Sequence, residues 1–493
     1  MANHLKKLAG ETAVYGLSTI LARVLNFVFV PVYTRMLTTG EYGIATEFLA
    51  YIAILQVALT MGMETGCLRF ANQSDRPRQV FSTALTSMFL LTAAFFLCTL
   101  WWSGDIASWL GYHNYSICVV YLGGILAVDS FTSILFARLR FEYHAVKFTI
   151  LKSVKIATEL GFNLLLFFFA PAYFAANPDS YFLNFVSATP DFSYILFAIF
   201  MSCIVSLLLF IPDILRVKFR FSRELWRKMM RYSLPLMIAG LPGVANDFID
   251  RILFRYLSPE GVVWQEQLGV FQAGVKLAVI MSLFVQMFRY AAEPFFFAGE
   301  KNKRSPISYA VVMNHFTAFC VFIFLFVMFY MDAIGLFLGK NFRSGISIVP
   351  VMLGAYILLG IAFNLSMWYK LSGKTQFAIY ITSAGLIVTL LVNLFFMPRY
   401  GYLAAAWGHF LSYLVMVLLS AWLGAKYYPI PYNWPKIWTY TSLGLLLFLL
   451  SEWMDVTPLW LKWSLHALLL VGYVFVWFKM EKIKLDLKKF LRR

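Results

Sequence analysis

Fourteen apolar runs of about 20 residues, separated by short polar turns, leave this chain few folds to choose from. Their approximate limits are 12–33, 44–66, 80–102, 116–137, 148–171, 193–213, 233–257, 268–295, 307–331, 346–369, 377–397, 403–425, 439–453 and 461–478. In hydrocarbon every backbone N–H and C=O must be bonded inside the protein, so only helices and closed barrels can span a bilayer. The runs do not alternate polar with apolar and are long enough for helical spans, which excludes the barrel. Only 13% of residues are charged and mean hydropathy is +0.73, whereas a soluble domain is about a quarter charged. The expectation is an all-α polytopic membrane protein of about 14 transmembrane helices.

The net charge of +17 would point to nucleic acid in a soluble protein, but here its distribution matters more. With the N-terminus placed in the cytoplasm, the inside segments carry 29 Lys and Arg and the outside segments 5. That asymmetry supports both termini inside and an even number of spans. No cleavable signal precedes the first run. The five cysteines fall in or beside apolar runs without a CxxC pair, and are read as small membrane hydrophobes.

The basic stretch RVKFRFSRELWRKMMR (216–231) divides the chain near its middle. The reading is a first lobe over 1–215 with spans 1–6, a basic cytoplasmic linker over 216–232, and a second lobe over 233–425 with spans 7–12. Residues 426–493 add two spans and a basic tail. The linker either fixes topology at the headgroups or binds lipid specifically. A weak repeat relates the lobes. Arg35, Leu37, Thr38 and Glu41 match Arg255, Leu257, Ser258 and Glu260, and Tyr42-Gly43-Ile44 matches Leu268-Gly269-Val270 after an insertion. Two like-oriented repeats related by an axis along the membrane normal are a transporter architecture, with the site between the lobes.

Charges inside spans are costly and usually face a cavity or a partner. On span 7, Asp247, Asp250, Arg251 and Arg255 fall within an arc of about 140° at helical periodicity, and Asp247 and Arg251 are spaced for an i,i+4 ion pair. Pro242 and Gly243 invite a bend beside them. Span 8 adds Gln272, Lys276, Gln286, Arg289 and Glu293, span 1 adds Arg23 and Asn26, and span 2 adds Glu47 and Glu64. On span 5, Lys152, Lys155, Glu159 and Asn163 share one face, with Asp129 of span 4 as a candidate partner. That last set reads as a structural brace. The others divide between internal salt bridges and a substrate site. The candidate cationic site for an anionic headgroup is Arg23, Arg251, Arg255, Lys276 and Arg289, because Arg grips phosphate oxygens bidentately and Lys as a point charge. Glu47, Glu64, Asp247, Asp250 and Glu293 are the candidate coupling or charge-pair acids. Arg35 and Arg255 read as gate residues or as interfacial anchors. The Glu41-Tyr42-Gly43 turn reads as structural.

No P-loop, HExxH or serine elbow occurs, and the longest outside segment, 172–192, holds only Asp179 and Asp191. Neither an ATP-driven pump nor an enzyme is expected, no cofactor and no metal site is expected, and energy would come from H+ or Na+ coupling or from substrate flow. The rivals are a cation-coupled drug antiporter, a membrane glycan polymerase or ligase, and a non-transporting scaffold.

The stretch VPVYTRMLTTGEYG after the first span, the following apolar run and the basic turn LRFANQSDRPRQ resemble the polysaccharide biosynthesis flippases of the multidrug/oligosaccharidyl-lipid/polysaccharide exporter superfamily. The 14-span layout, basic linker and two-lobe repeat extend the resemblance over the chain. It implies a multi-pass transporter of the bacterial inner membrane that moves undecaprenyl-pyrophosphate-linked oligosaccharide to the periplasmic leaflet by alternating access. It implies lobes around a central cavity whose arginines hold the pyrophosphate, with Arg23, Arg251 and Arg255 as the nearest counterparts. Lipid II flippases are close relatives in the same superfamily. Implied partners are the bilayer, the lipid-linked oligosaccharide, and a glycan polymerase with its assembly proteins; nucleic acid is not among them.

Overall fold

A computed structural model describes residues 24, 27–217, 219–299, 305–454 and 458–482. All its long elements are helices, and no strand occurs among the described residues. Span 1 lies mostly outside them, and its end is α1 (Val30–Met36). The first lobe continues with α2 (Thr39–Thr60), α3 (Met63–Gln73), α4 (Pro77–Trp101), α5 (Ser116–Phe141), α6 (Ala145–Leu164) and α7 (Phe192–Leu215). The rest is α8 (Arg223–Leu257), α9 (Trp264–Gly299), α10 (Ser305–Phe329), α11 (Val349–Leu365), α12 (Gln376–Tyr400), α13 (Tyr402–Tyr427), α14 (Trp434–Trp453) and α15 (Leu459–Met480).

Eleven of the described helical segments are long and apolar enough to cross a membrane. The two long helices outside that set, α8 and α14, stand where the seventh and thirteenth spans are expected. Charge sets α8 apart, and α14 opens on the polar stretch WPKIWTYTS.

Several boundaries follow from local chemistry. Helix α2 starts at a capping box: Thr38 Oγ1 accepts from the Glu41 amide (3.2 Å), and Glu41 Oε2 accepts from the Thr38 amide (2.8 Å). Such a box satisfies two orphan amides and contributes about 1 kcal/mol. The second apolar run is not one helix. Met61 and Gly62 are both left-handed and separate α2 from α3. A Cβ at Gly62 would also lie 2.6 Å from the Ser233 carbonyl of α8, so close approach and positive φ both call for glycine. Helix α8 begins ten residues before the apolar run, because Ser222 caps it through the Leu225 amide.

The core shows how the lobes meet. One large buried cluster combines the ends of both lobes opposite the basic linker, from Tyr42 and Phe48 through Phe254 and Phe271 to Phe342, and continues into the second lobe. On the side of the basic linker the cores part. Met63, Cys67, Phe81, Phe136 and Met229 form a separate first-lobe cluster. Ala292, Phe296, Tyr309 and Met367 form another in the second lobe. Helix α8 belongs to both lobes: Met229 sits in the first-lobe cluster, while Asn246 bonds Thr389 of α12 and Ser412 of α13.

Candidate functional site

The ends of the lobes opposite the basic linker are held by the stretch that carries the family resemblance. Gly43 of α2 and Gly269 of α9 face each other across the seam. A Cβ on Gly43 would lie 2.0 Å from the Gln265 carbonyl oxygen, and one on Gly269 would lie 1.9 Å from that of Thr39. These are the two glycines that the sequence repeat aligns, so the repeat meets itself in space. Nearby, the Gly339 amide donates to Thr34 Oγ1 (3.0 Å), Arg35 Nη2 donates to the Leu336 carbonyl (3.1 Å), and Tyr42 packs edge-on against Phe342. In the Glu41-Tyr42-Gly43 turn, Glu41 caps α2, Tyr42 packs against Phe342 and Gly43 admits the neighbouring backbone.

An ion pair joins the lobes beside this seam. Arg255 Nε and Nη2 donate to the two carboxylate oxygens of Glu47, both at 2.8 Å, and Nη1 donates to the Leu110 carbonyl at 2.7 Å. Glu47 also accepts from Tyr112 Oη (2.5 Å) and Tyr51 Oη (3.1 Å) and is fully buried. The guanidinium lies over the Tyr112 and Trp264 rings. In this structure Arg255 thus has its donors committed to protein, tying α8 to α2 and to the Leu110 carbonyl.

Behind it lies a buried polar network in the second lobe. Tyr413 Oη donates to Asp247 Oδ1 (2.7 Å). His409 Nε2 stands 3.3 Å from Asp250 Oδ2. Asn246 Oδ1 accepts from Thr389 (2.6 Å) and Ser412 (2.9 Å). Asp250 Oδ1, His409 Nδ1 and Asn393 Oδ1 are buried with no hydrogen-bond partner among the described residues. Polar groups in that position are costly and mark sites where a proton, ion or water is accommodated.

The i,i+4 pair expected between Asp247 and Arg251 does not form; Asp247 Oδ1 accepts from Tyr413 instead. Arg251 instead lies over the Phe248 ring at 4.4 Å, and its buried Nε has no hydrogen-bond partner among the described residues. It is within electrostatic reach of Tyr42 in the first lobe and of Asp247 and His409 in the second.

The other sequence candidates scatter. Arg23 and Asn26 lie outside the described residues, as does the side chain of Glu293. Glu64 lies apart from these groups: it sits on α3, beyond the break at Met61 and Gly62, and pairs with Arg140 of α5. Lys276 is half-buried on α9, and Arg289 lies farther along the same helix, 5.1 Å from the Phe363 ring centre. In the first lobe, Lys155 Nζ meets Asp129 Oδ1 at 2.5 Å, the expected brace, while Lys152 rests on the Phe136 ring at 4.2 Å and Asn163 accepts from Tyr33 Oη. Sequence reading missed His409, Tyr413 and Tyr112. A histidine inside the run YLAAAWGHFLSY is itself a signal, because ionisable residues within spans default to function.

Comparison with known proteins agrees with this architecture. The family described as polysaccharide biosynthesis protein matches residues 8–300. No curated protein sequence matches the chain. Among solved structures, the lipid II flippase MurJ in an inward closed conformation is similar over 96% of this chain and 100% of its own, with TM-score 0.68 at 12% identity. An outward-facing multidrug resistance MATE family transporter of the MOP superfamily matches over 89% and 96%, with TM-score 0.58 at 13% identity. A MOP superfamily transporter from Pyrococcus furiosus matches over 86% and 96%, with TM-score 0.53 at 12% identity. With the family match covering more than half its length, and its helices arranged as in these transporters, this multi-pass membrane chain belongs to the polysaccharide biosynthesis protein family.

Proposed function

We propose that the chain is a flippase of the bacterial inner membrane. It carries undecaprenyl-pyrophosphate-linked oligosaccharide from the cytoplasmic to the periplasmic leaflet by alternating access, and hands it to a glycan polymerase and its assembly proteins. The observation that carries this reading is Arg251: a guanidinium with a buried, unbonded Nε, between Tyr42 of one lobe and the acids of the other. Arg251 as a whole is half-buried, and a buried donor left without a hydrogen bond costs free energy. An incoming pyrophosphate supplies the missing partner, with charge-assisted bonds each worth about 1.5–3 kcal/mol. Lys276 and Arg289 extend the cationic path along α9; Arg23 lies outside the described residues and stays a candidate from the sequence alone. Arg255 joins the substrate only when its bond to Glu47 breaks, which links binding to gate opening.

The sugar–pyrophosphate head enters between the lobes while the polyprenyl chain stays in lipid. Removing the gene from its host should make lipid-linked units accumulate on the cytoplasmic side. Wild type clears them. Arg251→Ala, at normal membrane abundance, is expected to clear them at least about tenfold more slowly, the loss of one charge-assisted contact, with Arg251→Lys intermediate. Unchanged surface glycan with raised sensitivity to cationic compounds would replace this reading with a drug antiporter.

Asp247 and Asp250 are the coupling acids in this scheme. Their network holds unpaired oxygens beside His409, and a coupling cation must bind the two lobe arrangements differently to drive anything. In proteoliposomes, Asp250→Asn should still bind the lipid-linked substrate yet lose the acceleration that an imposed H+ or Na+ gradient gives wild type. Equal acceleration in both proteins would remove Asp250 from coupling.

A further inference from the structure

A groove of about 650 Å³ runs between α4, α5 and α7 on the first lobe, lined by Phe89, Leu90, Ala93, Phe131, Leu208 and Phe219 among others. It is apolar throughout, because its threonines turn their hydroxyls inward: Thr86 Oγ1 donates to the Ser82 carbonyl and Thr92 Oγ1 to that of Met88. On α4 it extends from Thr86 to Phe96, about 15 Å of helix. That is half the roughly 30 Å hydrocarbon core, the depth of one leaflet.

Its mouth is the basic linker. Phe219 closes the groove end, and Arg216 and Arg220 beside it are exposed. The linker is pinned there: Ser82 Oγ accepts from the Arg220 amide (2.7 Å) and donates to its carbonyl (3.0 Å), and Thr83 Oγ1 accepts from the Ser222 amide. Nearby acids are already neutralised, Asp213 by Lys147 and Glu224 by Lys228.

We propose that this groove seats one anionic phospholipid of the leaflet on the linker's side, with an acyl chain against Phe89 and Ala93 and its phosphate on Arg216 and Arg220. The one-leaflet depth suits an acyl chain rather than the longer polyprenyl chain of the substrate, and the exposed arginines at the rim favour an anionic headgroup. The seat shares no lining residue with the network around Arg251, and stands whether or not the transport reading does.

Native mass spectrometry of the full chain in detergent tests this with phosphatidylglycerol and phosphatidylcholine of identical chains. Wild type should retain one phosphatidylglycerol with roughly tenfold preference, as expected for two basic residues at a membrane surface. Arg216→Gln with Arg220→Gln, changes confined to exposed side chains, should erase the preference while leaving chain binding. Ala93→Phe, filling the groove, should abolish retention of either lipid, with the thermal melt reporting that the protein is folded. Equal retention of both lipids by wild type overturns the proposal, as does retention indifferent to all these substitutions. Displacement of phosphatidylglycerol one for one by undecaprenyl phosphate overturns it in favour of the substrate's own tail.

Discussion

Arg255→Ala is expected to open the outer side of the protein. The substitution leaves Glu47 fully buried with only two tyrosine donors, and stranding one partner of a buried pair costs about 3–5 kcal/mol. That penalty falls on the state in which the lobes are closed over Glu47. It is comparable to the roughly 5.5 kcal/mol that carries a two-state equilibrium from 1:99 to 99:1. A spin-label pair bridging the outer ends of α2 and α9 should therefore move from one short distance to a predominantly long one. Combining Arg255→Met with Glu47→Leu removes both charges and should return most of the short distance, since apolar replacement of a buried pair is often near neutral. If the single and double variants give the same distances, the pair is not what holds the seam. Transport should fall in the single variant, because a protein that rests open outward presents its site to the wrong leaflet.

A larger side chain at the glycine seam should act in the same direction by a different route. The atoms that a Gly43 Cβ would meet are the backbone of Gln265 and Gly269, which no rotamer change can move. Overpacking a tight contact costs about 1–3 kcal/mol, and more where backbone must shift. Gly43→Leu is therefore expected to exclude the outward-closed arrangement while leaving each lobe folded. In a background where the exposed Cys98 is replaced by Ser, a cysteine placed at Leu268, fully buried beside Gly269, should react with an impermeant maleimide at least tenfold faster than without the Gly43 change. Gly43→Ala should give a smaller rise. Unchanged labelling would mean that the helices slide rather than part, and that the seam is no barrier.

The sequence shows some of this plainly and hides the rest for identifiable reasons. Apolar length marked the helices from 77 onward to within a few residues, apart from the ten-residue extension at the start of α8, where Ser222 and the charged turns after it lie outside any hydropathy signal. The repeat alignment of Gly43 with Gly269 anticipated two residues that turn out to touch. Periodicity put Asp247, Asp250, Arg251 and Arg255 on one side of α8, but a helical wheel shows which way side chains point and not what they meet. Their partners come from α2 and α13, Glu47 and His409. The expected Asp247–Arg251 pair does not form, and Asp247 accepts instead from a phenol more than 160 positions away. Glu64 pairs with Arg140, a partner on another helix that the composition of its own span does not reveal.

Helix α8 changes what a lobe means in this protein. The covalent joint is the linker near residue 220, yet the half of α8 around Met229 is glued into the first lobe's core and the half around Asn246 into the second's. Pro235 and Pro242 fall between those two attachments. The physical border of the two halves thus runs across a single continuous helix. The machine resembles a pair of blades sharing one sprung shaft more than two bodies tied by a cord. A fragment cut at the linker would carry away part of its neighbour's interior.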